Sequence, residues 1–144
     1  MGQIEVKRAV IDTNVVVSAL LFGGIPGHLM SLWERSSIRP YASKEIVDEN
    51  IRVLAYPKFE LTEHEIDFLL HGEILPHFEI VEVLPATPIV RSDPADDKFI
   101  WCAETAGIDV IISGDTHLLR MKTYGEITIM SPTKFLETFF QSDP

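Results

Sequence analysis

Apolar positions along this chain switch between compact runs and helix-spaced sets. "KRAVID" (Lys7 to Asp12) predicts a buried strand, and "NVVVSALLF" a helix with a weak, β-branched start. "GGIPG" (Gly23 to Gly27) reads as a turn, "HLMSLWERSS" as a second helical piece, and "IRPYAS" as a short strand that must accommodate Pro40. "SKEIVDENIRVLA" predicts a helix capped by Ser43, and "LTEHEIDFLL" one opened by a capping box of Thr62 and Glu65. "FEIVEVL" (Phe78 to Leu84) alternates apolar and acidic residues as a strand does. The helix in "DPADDKFIWCAETAG" takes Asp93 as its cap, Pro94 as its first residue and Gly107 as its end. "IDVIISGD" is a compact buried strand, "THLLRMKTYG" a short helix and "EITIM" another strand. "SPTKFLETFF" closes the chain as a helix begun by Ser131 and Pro132.

Strands alternating with helices imply an α/β fold with a parallel sheet covered on both faces. Right-handed crossovers place the carboxyl ends of the strands along one edge, where open α/β sheets bind ligands. No repeat, low-complexity tract or long linker interrupts the pattern, so residues 1–144 are expected to form a single domain.

Composition narrows the class. The chain is 46% hydrophobic and 24% charged, ordinary for a globular protein. No apolar run reaches the roughly 18 residues of a membrane span. The opening "MGQIEVKRAV" has no apolar core of a secretory signal. Cys102 stands alone, which excludes a disulfide framework and a cysteine zinc site; it reads as a small buried hydrophobe in a reducing cytoplasm. The net charge of −10 argues against a broad phosphate-binding surface. It leaves room for a nuclease whose carboxylates gather around a divalent cation.

The acids sharpen that reading. Asp12 ends the first strand and Asp115 follows "DVIISG", so a parallel sheet brings both out at one edge. In the helix near Asp93, Phe99, Ile100, Ala103 and Ala106 share an apolar face; Asp96 lies on it and Asp97 points away, as a solvated neighbour. In the Ser43 helix, Glu49 borders the apolar side, Asp48 faces away and can pair with Arg52, and Asn50 sits near the apolar centre without an evident partner. The candidate constellation is Asp12, Glu49, Asp96 and Asp115, with Asp93 close by. All are hard oxygen donors, which suits Mg²⁺ or Mn²⁺ and not zinc. Taken singly, Asp12, Asp93 and Asp115 equally suit helix caps, and Glu49 a surface acid. Only their joint placement marks a site. His117, Arg91, Lys98, Arg120 and Lys122 are either a rim for substrate phosphate or ordinary surface charges.

At these residues the chain resembles the PIN-domain family. The pieces that carry the likeness are "AVIDTNVVVSALLF", "ASKEIVDENIRVL", "SDPADDKFIWCAETAGIDVIISGDTHLL" and "IMSPTKFLETF", in that order. The closest likeness is to the VapC-like, single-domain bacterial and archaeal branch, the toxin components of toxin–antitoxin pairs. The resemblance implies a three-layer α/β/α sandwich around a mainly parallel five-stranded sheet, Mg²⁺- or Mn²⁺-dependent endoribonuclease activity on RNA, and an antitoxin partner. By position, Asp12, Glu49, Asp96 and Asp115 match the family's acids, and Asp93 an additional acid of this branch. Asn14 and Ser113 match polar positions beside the first and last acids. In "DEN" the chain departs from the family, where an apolar or aromatic residue usually follows the glutamate.

Other classes fit less well. An aspartyl-nucleophile phosphatase needs a second Asp where Asn14 stands. A receiver domain needs an Asp after the third strand, and "FEIVEVLPAT" has none. The alternative that stays open is a catalytically degenerate PIN-like scaffold that binds protein or RNA. "LLFGGIPGHLMSLW" and "KFELTEHEIDFLL" suit core, a partner groove or the face between copies, and a homodimer or higher homo-oligomer is the expectation.

Overall fold

The computed structural model describes residues 6–83 and 96–140. The described chain begins with β1 (Lys7–Ile11), α1 (Thr13–Leu21), α2 (Gly24–Glu34), β2 (Ile38–Ser43) and α3 (Lys44–Leu54). A 3₁₀ turn (Pro57–Phe59) leads to α4 (Glu63–Leu69), a π-helical turn (Leu70–Ile74) and β3 (Glu79–Val81). After the undescribed stretch come α5 (Asp97–Ala106), β4 (Val110–Ile112), α6 (Thr116–Met121), β5 (Thr123–Tyr124), β6 (Ile127–Met130) and α7 (Pro132–Phe139).

One six-stranded sheet has the order β3-β2-β1-β4-β6-β5. Five strands are parallel, as expected. The sixth, β5, is a two-residue antiparallel hairpin partner of β6, turned at Gly125 in a left-handed conformation (φ 59°). Ala9, Val10 and Ile11 of β1 and Val110, Ile111 and Ile112 of β4 are all buried. Successive strand residues face opposite sides, so both faces of the sheet are covered. The structure is therefore a three-layer α/β/α arrangement.

Local sequence explains most boundaries. Ser43 caps α3 by accepting from the Ile46 N–H, Thr62 and Glu65 form both bonds of a capping box, and Ser131 caps α7. Gly107 ends α5 in the left-handed region. Pro40 sits inside β2, yet β3 pairs only from Tyr41 onward, so the proline lies where that side of the strand is unpaired. One boundary differs from the pattern: "GGIPG" is not a free turn, because α2 already begins at Gly24. Pro26 falls in its first turn, where a missing N–H costs nothing. The proposed cap Asp93, Pro94 and Arg91 lie outside the described residues. Among the described residues no single helix is long and apolar enough to cross a membrane.

The sheet order fixes where a ligand fits. From β1 the chain steps outward to β2 and β3, then returns to place β4 on the other side of β1. The direction of winding reverses between β1 and β4, and the crevice outside their carboxyl ends is the usual binding place in such folds.

Candidate active site

Register brings the first and last acids together. Ile11 pairs with Ile112, and the Asp12 N–H donates to the Ile112 carbonyl at 2.9 Å. The next residue of each chain segment, Asp12 and Ser113, must then lie side by side. Ser113 donates its hydroxyl to Oδ2 of Asp12, and the Gly114 N–H reaches the same oxygen at 3.3 Å. Oδ1 of Asp12 accepts from the Val15 N–H at 2.9 Å, which makes it the N-cap of α1. Asp12 is only 3% exposed. Burial pushes its carboxyl above the ordinary value; the bonds from Ser113, Val15 and Gly114 act in the opposite sense, and nearby Asp115 adds repulsion.

Asp115 caps α6, accepting from the N–H groups of His117 at 2.7 Å and Leu118 at 3.3 Å. Its own N–H donates to the Ser113 hydroxyl oxygen at 2.9 Å. Thus Ser113 joins both acids. The capping roles foreseen for Asp12 and Asp115 hold, and they coexist with placement in the cleft.

The remaining acids come from helices. Asp12, Thr13, Asn14, Glu49, Val53, Tyr56, Asp96, Phe99 and Asp115 line one cleft of about 210 Å³. All four acids of the proposed constellation are therefore on its walls. Asn14 lines it as an exposed residue, whereas Ser113 is fully buried beneath Asp12. Asp93 lies outside the described residues.

Three expectations need correction. Asp97 is not solvated: it is 1% exposed at the start of α5. Lys98 is not part of a rim: it is buried, with Nζ 2.9 Å from Oε2 of Glu49. A face drawn on a helical wheel assumes solvent opposite the sheet, but α3 packs against α5, with Glu49 of one meeting Lys98 of the other. Asp48 pairs with Lys44 at 3.0 Å, while Arg52 leans toward Glu49 at 3.9 Å. His117, Arg120 and Lys122 are exposed. Cys102 is a buried free thiol whose pKa burial raises to about 12, so it is inert, as expected for a small core residue.

The cleft's chemistry fits a hard divalent cation: four carboxylates line it, with no His or Cys among the described residues that form it. The donors are not drawn to one point, however. Among the described residues no three His, Cys, Asp or Glu side chains group closely enough to hold a metal ion. Like-charged carboxylates turn instead to protein donors: Asp12 to Ser113 and two backbone N–H groups, Asp115 to the start of α6, and Glu49 to Lys98 and the Thr13 hydroxyl.

A family model of the PIN domain matches residues 8–117, a span holding every acid just described. The chain belongs to the PIN-domain family. PIN domains are generally nucleases, hydrolases in reaction class. Two solved structures resemble this PIN domain in fold. FitAcB from Neisseria gonorrhoeae superposes with a TM-score of 0.56 at 18% identity, over 87% of this chain and 98% of that one. PAE2754 from Pyrobaculum aerophilum does so with a TM-score of 0.57 at 15% identity, over 94% and 91%. No curated protein sequence matches this PIN domain.

Proposed function

We propose that this PIN domain is a Mg²⁺- or Mn²⁺-dependent endoribonuclease that hydrolyses RNA phosphodiester bonds and acts as the toxin of a toxin–antitoxin pair. The observation that carries the reading is the convergence of four acids, from four separated segments, on one cleft at the winding reversal of the sheet. The toxin role and the antitoxin partner rest on the resemblance to the VapC-like branch.

Asp12, Asp96 and Asp115 would hold the cation, with Glu49 acting directly or through water and Asp93 as a further candidate. When bound, such a cation acidifies water and neutralises charge at the phosphorus during in-line displacement. The chain's own part is positional. Backbone N–H groups and the Ser113 hydroxyl fix the carboxylates of Asp12 and Asp115, so both stay oriented without side-chain reorganisation. Asn14, exposed on the wall, would serve as a supporting polar residue beside Asp12. No Ser or Cys nucleophile is required: Ser113 is buried beneath Asp12, and Cys102 is buried with a raised pKa.

The test is RNA cleavage with Mg²⁺, with and without chelator. Asp12→Asn and Asp96→Asn should each lower the rate at least about a hundredfold, with the thermal midpoint unchanged or higher. Cleavage retained by both variants would remove the site. A wild-type chain that binds RNA or a partner protein without cutting would instead favour the degenerate scaffold.

A further inference from the structure

Lys98 is a charged side chain for which the surface pattern has no place. Its side chain is 6% exposed, and its ammonium lies 2.9 Å from Oε2 of Glu49, whose side chain is 20% exposed. The other Glu49 oxygen accepts from the Thr13 hydroxyl. Lys98 does not itself line the cleft; Glu49 does. The lysine therefore meets the carboxylate away from solvent.

A buried ammonium is tolerated only when paired, and breaking such a pair leaves an uncompensated charge. The electrostatic consequence reaches further. A carboxylate and an ammonium 2.9 Å apart act at longer range as a dipole rather than as a net charge. Arg52, 3.9 Å from the same carboxylate oxygen but largely exposed, adds little after solvent screening. The wall thus carries four acids but less negative potential than four acids imply. From the reading that the cleft takes a divalent cation, we infer that Lys98 is an internal counter-cation for Glu49. Glu49 then meets the metal as a carboxylate already balanced by Lys98 and held by the Thr13 hydroxyl.

Two variants separate this role from simple packing. Lys98→Met keeps the length and apolar stem but uncovers the Glu49 charge, so a divalent cation should bind at least about tenfold more tightly. Glu49→Gln/Lys98→Met removes the uncovered carboxylate as well, so neither member of the pair is left without the other. It should fold even if the single variant does not, and should bind no more tightly than wild type.

The experiment is calorimetric titration of wild type and both variants with Mn²⁺ alone, in the absence of RNA. Tighter binding by Lys98→Met, with no gain in the double variant, supports the counter-cation. Binding by wild type that Lys98→Met leaves unchanged or weakens overturns it. So does a double variant that binds more than about tenfold tighter than wild type, because the charge uncovered by losing the lysine would then not be that of Glu49. Absence of binding in all three overturns the cation reading itself, and this inference with it.

Discussion

Ser113 donates its hydroxyl to Asp12 across 101 residues of sequence, and on its other side accepts the Asp115 N–H. This one buried hydroxyl ties the end of β1 to the start of α6 and fixes two acids of the cleft relative to each other. It exists because β1 and β4 pair in a register that sets Asp12 beside Ser113.

Ser113→Ala should therefore destabilise the chain by about 1–3 kcal/mol, since Asp12 stays buried with one donor fewer and the Asp115 N–H loses its acceptor. The Ser113 bond favours the charged form of Asp12, so its loss should be felt more at pH 7 than at pH 4. Urea unfolding at both pH values measures this. Equal stability of variant and wild type at pH 7 would contradict it.

Asp12 also gives stability a pH dependence. Its carboxyl in the folded chain is raised above the ordinary value of 3.8, so the folded state takes up a proton more readily than the unfolded state. The resulting stabilisation is complete below that value and is lost as pH rises through the folded one. Asp12→Asn removes this loss and keeps a competent N-cap for α1. The stability of Asp12→Asn relative to wild type should grow as pH rises from about 4, then level off. Parallel curves would contradict the assignment.

Asn50 is fully buried in α3, and among the described residues neither atom of its amide has a hydrogen-bond partner. Asn50→Leu keeps the volume and removes two unsatisfied polar atoms, so it should stabilise by about 1–2 kcal/mol. It also restores the apolar character usual after the glutamate in the family the chain resembles. A lowered thermal midpoint would show that the amide has a role beyond packing.

The parts of this structure set by local chemistry were legible in the sequence. The caps at Ser43, Thr62 and Ser131 and the Gly107 stop depend on three or four adjacent residues, and each formed as expected. Asp12 and Asp115 were placed correctly because strand ends of a parallel sheet share an edge. What failed depended on neighbours distant in sequence. Asp97 looks solvated on a helical wheel and Lys98 suits a rim or an open surface; both are buried in the fold, where α3 packs against α5. The choice of Lys44 over Arg52 by Asp48 follows from Arg52 lying nearer Glu49, itself paired with Lys98. A lysine directly after two aspartates was a legible signal; only tertiary contact reveals that its partner is Glu49.

The central claim, that the acids of this cleft together hold divalent metal, is tested most directly by thermal unfolding with Mn²⁺ and with chelator. Wild type should gain roughly 5–10 °C when Mn²⁺ is present at about a hundred times its dissociation constant. Asp12→Asn/Asp115→Asn keeps both helix caps; it should melt at or above the chelated wild type and gain nothing from Mn²⁺. A wild type indifferent to Mn²⁺, or a double variant that gains as much as wild type does, would contradict it.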